Sequence, residues 1–113
     1  MIQRVLLITS LLILGGCTIP TKQEFDQIRV EMRSAQFRRD VNAECVKLVA
    51  KRPLWQRKNV ATYVKVSLDR VPTVFCKRII HGLHSGQLKY SDLQTAKQTR
   101  KATPNLMRIL RGG

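Results

Sequence analysis

Acidic residues are scarce in most of this sequence. Beyond Cys45 only Asp69 and Asp92 carry a carboxylate, whereas the same stretch holds fifteen lysines and arginines. Glycoside hydrolysis normally requires two carboxylates facing each other across a cleft, so this scarcity argues against a glycosidase. The G-x-S-x-G motif, the H-E-x-x-H motif and a glycine-rich phosphate loop are also missing. We therefore predict no catalytic residue, no cofactor and no enzymatic activity.

Potential metal ligands are equally few. His81 and His84 are three residues apart and would share one helix face, but no Cys, Asp or Glu nearby supplies a third ligand. The segment Ser85–Leu93 resembles the second half of an EF-hand loop, yet His81, Leu83 and Ser85 stand where calcium needs acidic side chains. A metal site is therefore not predicted, since a helix, a turn and a second helix account for the same residues.

The sequence also lacks a hydrophobic run long enough to cross a membrane. The apolar stretch Val5–Leu14, interrupted only by Thr9 and Ser10, would form a helix of about 15 Å, roughly half the hydrocarbon thickness of a bilayer. Arg4 precedes it, and a positive residue before a short apolar run is the layout of a signal peptide. Residues 1–16 are therefore predicted to be an export signal that is cleaved.

The motif Leu14-Gly15-Gly16-Cys17 follows directly and resembles the lipobox of bacterial lipoproteins. The resemblance implies that the Cys17 thiol receives a diacylglycerol, that cleavage occurs before Cys17, and that the new amine is acylated, with palmitate as a typical chain. Two or three acyl chains anchor a protein stably where one does not. Thr18 is not the aspartate that retains many such lipoproteins in the inner membrane, which favours the outer membrane. The other interpretation of Cys17 is an ordinary buried cysteine.

Of the three cysteines, Cys17 is used by the predicted anchor, which leaves Cys45 and Cys76 as a possible pair. In an oxidising periplasm they are expected to form a disulfide, which would stabilise the fold by roughly 3 to 4 kcal/mol on the chain-entropy model. Buried free thiols and a redox couple are the alternatives. A catalytic redox pair usually occurs as C-x-x-C beside a βαβ pattern, which this sequence does not contain.

The spacing of apolar residues predicts an all-α fold, with about four helices over residues 22–98 behind a lipidated tether at residues 17–21. Thr21 and Glu24 match a capping box. Apolar residues then recur at three- and four-residue spacing with one phase shift, so a single helix is predicted over Lys22–Ala50. Its stripe is expected to pack on the protein's own core and not in a coiled coil.

Later segments carry boundary signals of their own. The stretch Val60–Leu68 alternates like a strand but also fits one helix face, and a helix is preferred because a single strand has no evident partner. Pro72 and Gly86 mark the ends of another helix, and Ser91 is the predicted N-cap of the next one. Residues 99–113 form a basic tail, either a mobile arm or a docked last turn.

A basic cluster surrounds the only tryptophan, after Pro53 ends or kinks the first helix. The indole ring favours the headgroup zone of a bilayer and the neighbouring cations attract anions, so this cluster is the best binding candidate in the sequence. The other interpretation, that Trp55 fills the core beside a solvated loop, stays open. The cluster consists of Lys51, Arg52, Trp55, Arg57 and Lys58.

The net charge of +14 is unevenly distributed. Residues 17–45 hold five cations and five anions, so the excess lies after Cys45. A field of this sign attracts anionic lipid, lipopolysaccharide, nucleic acid or an acidic protein. Nucleic acid is disfavoured because an exported protein meets DNA only during uptake or transfer.

These features predict an accessory or scaffold protein of the bacterial cell envelope. It would be lipid-anchored to the membrane, facing the periplasm, and would bind an anionic envelope component or a protein partner through its basic face. The alternative is a lipoprotein subunit of a multi-protein envelope machine, such as a secretion or conjugation apparatus. In that case the apolar stripe of the first helix would be an interface.

Overall fold

The predicted all-α fold is confirmed. A computed structural model describes residues 19–112, which form six α-helices and one 3-10 helix, Leu68–Arg70, with no strand among them. The predicted export signal at residues 1–16, Cys17 and Thr18 lie outside the described residues. The six helices, more than the four expected, are α1 (Lys22–Glu31), α2 (Ala35–Ala50), α3 (Leu54–Val64), α4 (Val71–Ser85), α5 (Tyr90–Thr99) and α6 (Pro104–Leu110).

The predicted continuous helix over Lys22–Ala50 is wrong, because the chain breaks between α1 and α2. An unbroken helix would rotate Phe37 about 140° away from Met32. With the break, both side chains are buried in one core. Ser34 begins the new helix, and its hydroxyl accepts a hydrogen bond from the Phe37 amide at 3.2 Å. The phase shift in the apolar stripe was therefore the signal of two helices.

The start of α1 is the predicted capping box. The Thr21 hydroxyl accepts from the Glu24 amide, and the Glu24 carboxylate accepts from the Thr21 amide, both at 3.1 Å. Ile19 and Pro20, which the sequence analysis assigned to the tether, are packed on the domain, with Pro20 fully buried. The Tyr90 hydroxyl donates to the Pro20 carbonyl oxygen at 2.7 Å. The domain therefore holds the chain from Ile19 onward.

Helix α4 lies at the centre of the domain and contacts α2, α3 and α6. Pro72 is in its first turn, where the missing amide costs nothing, and Gly86 ends it in the left-handed conformation with φ of 82°, so both predicted ends are confirmed. Its buried residues are mostly apolar, and they are Val71, Val74, Phe75, Cys76, Ile79, Ile80, Gly82 and Leu83.

The predicted disulfide joins α2 to this central helix. The sulfur atoms of Cys45 and Cys76 are bonded, their Cα atoms are 6.0 Å apart, and both residues are fully buried. Because 31 positions separate them in the sequence, the bond removes a large loop from the freedom of the unfolded chain. The pairing predicted from the odd cysteine count is therefore confirmed.

Helix α3 resolves the ambiguity between helix and strand. The chain is helical as far as Val64, and Lys65 then takes a left-handed conformation with φ of 57° that ends the helix. The 3-10 helix follows and leads into α4. The preferred helix is thus correct up to Val64, but the predicted helix did not continue to Leu68.

The end of the chain is docked, not mobile. Helix α6 buries Leu106, Ile109 and Leu110 in the same core as the other helices. The helix before it, α5, begins at Tyr90 with Lys89 as its N-cap, two residues before the predicted cap at Ser91. The segment that the sequence analysis treated as a basic tail therefore completes the core.

Candidate functional site

The predicted binding cluster forms the turn after α2 and the first turns of α3. Trp55 is exposed and does not fill the core, since 63% of the residue is accessible to solvent. Lys51 and Lys58 are exposed as well. Three of the five predicted residues are therefore free to contact a partner.

The two arginines of the cluster have structural roles. Arg52 and Arg57 are half-buried. The Arg57 Nε donates to the Arg52 carbonyl oxygen at 2.9 Å, and the Arg52 Nε donates to the Gln56 side-chain oxygen at 2.7 Å. These bonds fix the turn between α2 and α3. They hold both guanidinium groups against this turn.

Two further exposed apolar residues belong to the same helix, and sequence reasoning missed both. Leu54 is 47% and Tyr63 is 52% exposed. The backbone carbonyl oxygen of Tyr63 accepts from Arg111 Nε at 3.0 Å, while its side chain is exposed. The signal that could have found it is its spacing of eight residues from Trp55, which places the two rings about 80° apart around the helix.

We call this exposed set the α3 surface, formed by Leu54, Trp55, Lys58 and Tyr63 together with the preceding Lys51. Seen along the helix axis, the α3 side chains cover about half of the circumference, from Leu54 through Lys58 and Trp55 to Tyr63. The sequence between Glu44 and Asp69 contains no acidic residue. The surface therefore presents two aromatic rings, one aliphatic side chain and two ammonium groups without a local carboxylate to neutralise them.

A second basic surface lies along the solvent side of α4. Thr73, Lys77 and His81 recur every four residues there, and all three are exposed. They separate two open grooves of about 540 and 480 Å³, and each of the three lines both grooves. We call these the α4 grooves. Their cationic lining residues are Arg38 and Arg39 from α2, Arg70 before α4, and Lys77 and Arg78 within it, and no Asp or Glu lines either groove.

Sequence reasoning did not find the α4 grooves. Their walls come from α2, α4 and the end of α6, which are far apart in the chain. His81 and His84, considered above as metal ligands, lie in this surface. The nearest nitrogens of His84 and Arg38 are 3.4 Å apart. A cation beside an imidazole disfavours metal binding, and residues 19–112 contain no group of three His, Cys, Asp or Glu that could hold a metal ion.

With this geometry in hand, comparisons with protein-family models, curated proteins and solved structures found no match. Within the described part of the chain, no helix is both long and apolar enough to span a bilayer.

Asp92 is the one buried charged residue among residues 19–112, with 6% of its surface accessible. Its carboxylate accepts from the Thr103 hydroxyl at 2.6 Å, from the Asn105 amide nitrogen at 2.7 Å and from the Lys89 backbone amide at 2.9 Å. Burial raises the pKa of Asp92, but these hydrogen bonds and the nearby Lys89 charge together hold the pKa below its ordinary value. The carboxylate therefore stays ionised and joins α5 to α6, which is a structural role.

Proposed function

We propose that this protein is a lipid-anchored accessory protein of the bacterial envelope that holds an anionic membrane surface through its α3 surface. The lipobox-like motif ending at Cys17 supports the anchor. The exposed Trp55, beside lysines and in a stretch without acidic residues, is the observation that carries the binding role.

The short connection to the proposed anchor favours the membrane as the binding partner. Because Ile19 is already packed on the domain, only two residue steps separate it from Cys17, and these span at most about 7 Å. The longest dimension of the domain is 32 Å. All of its surfaces would therefore stay within one domain diameter of the lipid headgroups.

The chemistry of the α3 surface fits a headgroup layer. Tryptophan and tyrosine rings have an apolar body and a polar edge, and both are enriched where hydrocarbon meets water. Each lysine near an anionic leaflet contributes about 1 kcal/mol of attraction. Leu54 adds a small apolar contact. The exposed indole contributes little burial free energy to folding, so its apolar surface is available for a contact outside the domain.

Fluorescence of Trp55 tests the proposal directly, since the chain has one tryptophan. The protein as its host processes it is reconstituted into phosphatidylcholine vesicles with or without phosphatidylglycerol. We expect emission at shorter wavelength and weaker quenching by acrylamide in the anionic vesicles. Because the anchor holds the protein on both vesicle types, the difference reports on the α3 surface alone.

Paired variants provide the control for this experiment. Changing Lys51 and Lys58 together to Gln should remove most of the spectral difference, because the ammonium groups supply the attraction to the anionic lipid. Changing Lys97 and Lys101 to Gln removes the same charge from exposed positions elsewhere and should leave the difference in place. Equal Trp55 spectra in the two vesicle types would contradict the proposal.

A subunit of a multi-protein envelope machine is the second candidate, and one observation bears on its interface. The apolar stripe of the predicted helix Lys22–Ala50, which would have been that interface, is largely buried in the domain's own core, at Phe25, Ile28, Met32, Val41, Cys45 and Val49. The large apolar side chains left exposed for a protein partner are Val30 on α1 and Leu54, Trp55 and Tyr63 on α3. Docking of this kind would persist at high salt, whereas lysine-driven binding to a membrane would weaken with ionic strength.

A further inference from the structure

The α4 grooves concentrate positive charge in a small volume. Five cationic side chains line them, and no Asp or Glu among residues 19–112 does. Arg70 and Arg78 lie on one side of the ridge, Arg38 and Arg39 on the other, and Lys77 lines both grooves. In a folded protein, cations this close repel one another unless counter-ions or a ligand reduce the repulsion. The arrangement therefore favours an anionic occupant.

Two of these cations are held in place by the fold. The Arg78 Nη1 donates to the carbonyl oxygens of Val64 and Leu110, at 3.0 and 2.6 Å. Arg38 donates to the Met32 carbonyl oxygen. These bonds leave the net charge of each guanidinium unchanged, because a carbonyl group carries only a partial charge. They fix the direction of each guanidinium, so its positive charge is preorganised and less side-chain freedom is lost when an anion binds.

The size of the grooves selects among anions. Volumes of about 540 and 480 Å³ suit a small molecule or a headgroup and not a folded partner. A small ligand that balances five cations must carry its charge densely. A carboxylate supplies one negative charge, whereas a phosphate monoester supplies close to two at pH 7 and offers three acceptor oxygens to guanidinium groups.

We propose that the two α4 grooves together form one binding site for a small, multiply phosphorylated anion. Lys77, which lines both grooves, would contact this anion from the ridge between them. The site shares no residue with the α3 surface, so the proposed anion site and the proposed membrane contact can be tested separately. Two kinds of molecule carry such phosphate groups: a phosphorylated lipid headgroup and a free phosphorylated compound.

Calorimetric titration tests the site, with the host-processed protein in neutral detergent micelles at constant ionic strength. The first probe is inorganic tripolyphosphate, and the second is dihexanoyl glycerol pyrophosphate, a short-chain lipid with two phosphate groups, below its critical micelle concentration. We expect saturable binding with one site per chain. Lys77→Gln should weaken it by about tenfold, the size of one charge-assisted hydrogen bond. Arg70→Gln is a second variant with the same expectation, and far-UV circular dichroism checks that both fold.

The matched control is Lys97→Gln, which removes one exposed lysine on α5 and lines neither groove. It should bind tripolyphosphate as the unchanged protein does. Tighter binding of the short-chain lipid would identify a headgroup as the source, and tighter binding of tripolyphosphate a free compound, both in support of the site. Absence of saturable binding, equal weakening by Lys97→Gln, or equally tight binding of citrate would overturn the proposal, the last because a tricarboxylate would then suffice.

Discussion

At the scale of single residues, the buried Asp92 shows how this basic protein uses one of its few carboxylates. Its hydrogen bonds link the start of α5 to Thr103 and Asn105 at the start of α6. Asn105 also donates to the Gln87 carbonyl oxygen at 2.9 Å. The carboxylate is thus the centre of a small polar network, and its removal would leave several donors without a partner.

Replacement of Asp92 by Asn should lower the free energy of unfolding at pH 7 by about 1 to 3 kcal/mol, because an amide cannot accept all three hydrogen bonds. Urea unfolding monitored by circular dichroism measures the change. Asp69→Asn, at an exposed position, is the control and should be nearly neutral. A loss for Asp69→Asn as large as for Asp92→Asn would argue against the network.

The difference between the unchanged protein and Asp92→Asn should also depend on pH. Since the pKa of Asp92 in the fold lies below its ordinary value of 3.8, its contribution is complete above the unfolded pKa and is lost as pH falls through the folded pKa. The stability gap should therefore be constant from pH 7 to about pH 5 and should narrow below about pH 4. A gap that stays unchanged at pH 2.5 would contradict this assignment.

At the scale of helices, Arg78 and the disulfide connect α4 to its neighbours. The Arg78 guanidinium donates to the carbonyl oxygens of the last residues of α3 and α6. Carbonyl groups at helix ends have no partner within the helix and carry partial negative charge, so one cation satisfies both ends at once. Cys45 and Cys76 connect the same helix to α2.

Arg78→Met should cost about 1 to 3 kcal/mol in the free energy of unfolding, because two half-buried carbonyl groups lose a charged donor. Amide hydrogen exchange should become faster in α3 and α6, while α1 should keep its protection. The neighbouring Lys77→Met, which changes an exposed side chain, should leave exchange in all three helices as it is. Uniform acceleration over the whole domain would mean that Arg78 does not act locally.

Loss of the disulfide should destabilise the domain by roughly 3 to 4 kcal/mol on the chain-entropy model. The variant with both Cys45 and Cys76 changed to Ala should therefore unfold at lower temperature than the oxidised protein. Addition of reductant should lower the Tm of the unchanged protein and leave that of the double variant where it was. If reductant shifts neither, the bridge is not a source of stability.

The sequence was sufficient for features that are set locally. The capping box at Thr21, the ends of α4 at Pro72 and Gly86, and the cysteine pair all follow from residue chemistry and counting. The phase shift in the apolar stripe indicates a break near Ser34, but the position of that break and the exposure of Trp55 depend on which other helices compete for the core. The α4 grooves are formed by residues far apart in the chain, and no linear pattern encodes such a meeting.

At the scale of the whole molecule, charge and anchoring support one another. Residues 17–45 are balanced in charge, and the excess of positive residues belongs to the remainder of the chain. The field of such a domain extends about 8 Å at physiological ionic strength, which is similar to the length of the proposed tether. Because the domain is 32 Å long, only the side that it turns to the membrane would lie within that distance of anionic headgroups.

The central claim is that Cys17 becomes the lipidated first residue of a disulfide-bonded domain. Intact mass spectrometry of the protein purified from membranes of its native host, with and without reductant, tests it most directly. We predict a mass equal to residues 17–113 plus acyl chains, and two hydrogen masses lower without reductant than with it. An unmodified full-length mass, identical in both conditions, would contradict both the anchor and the disulfide.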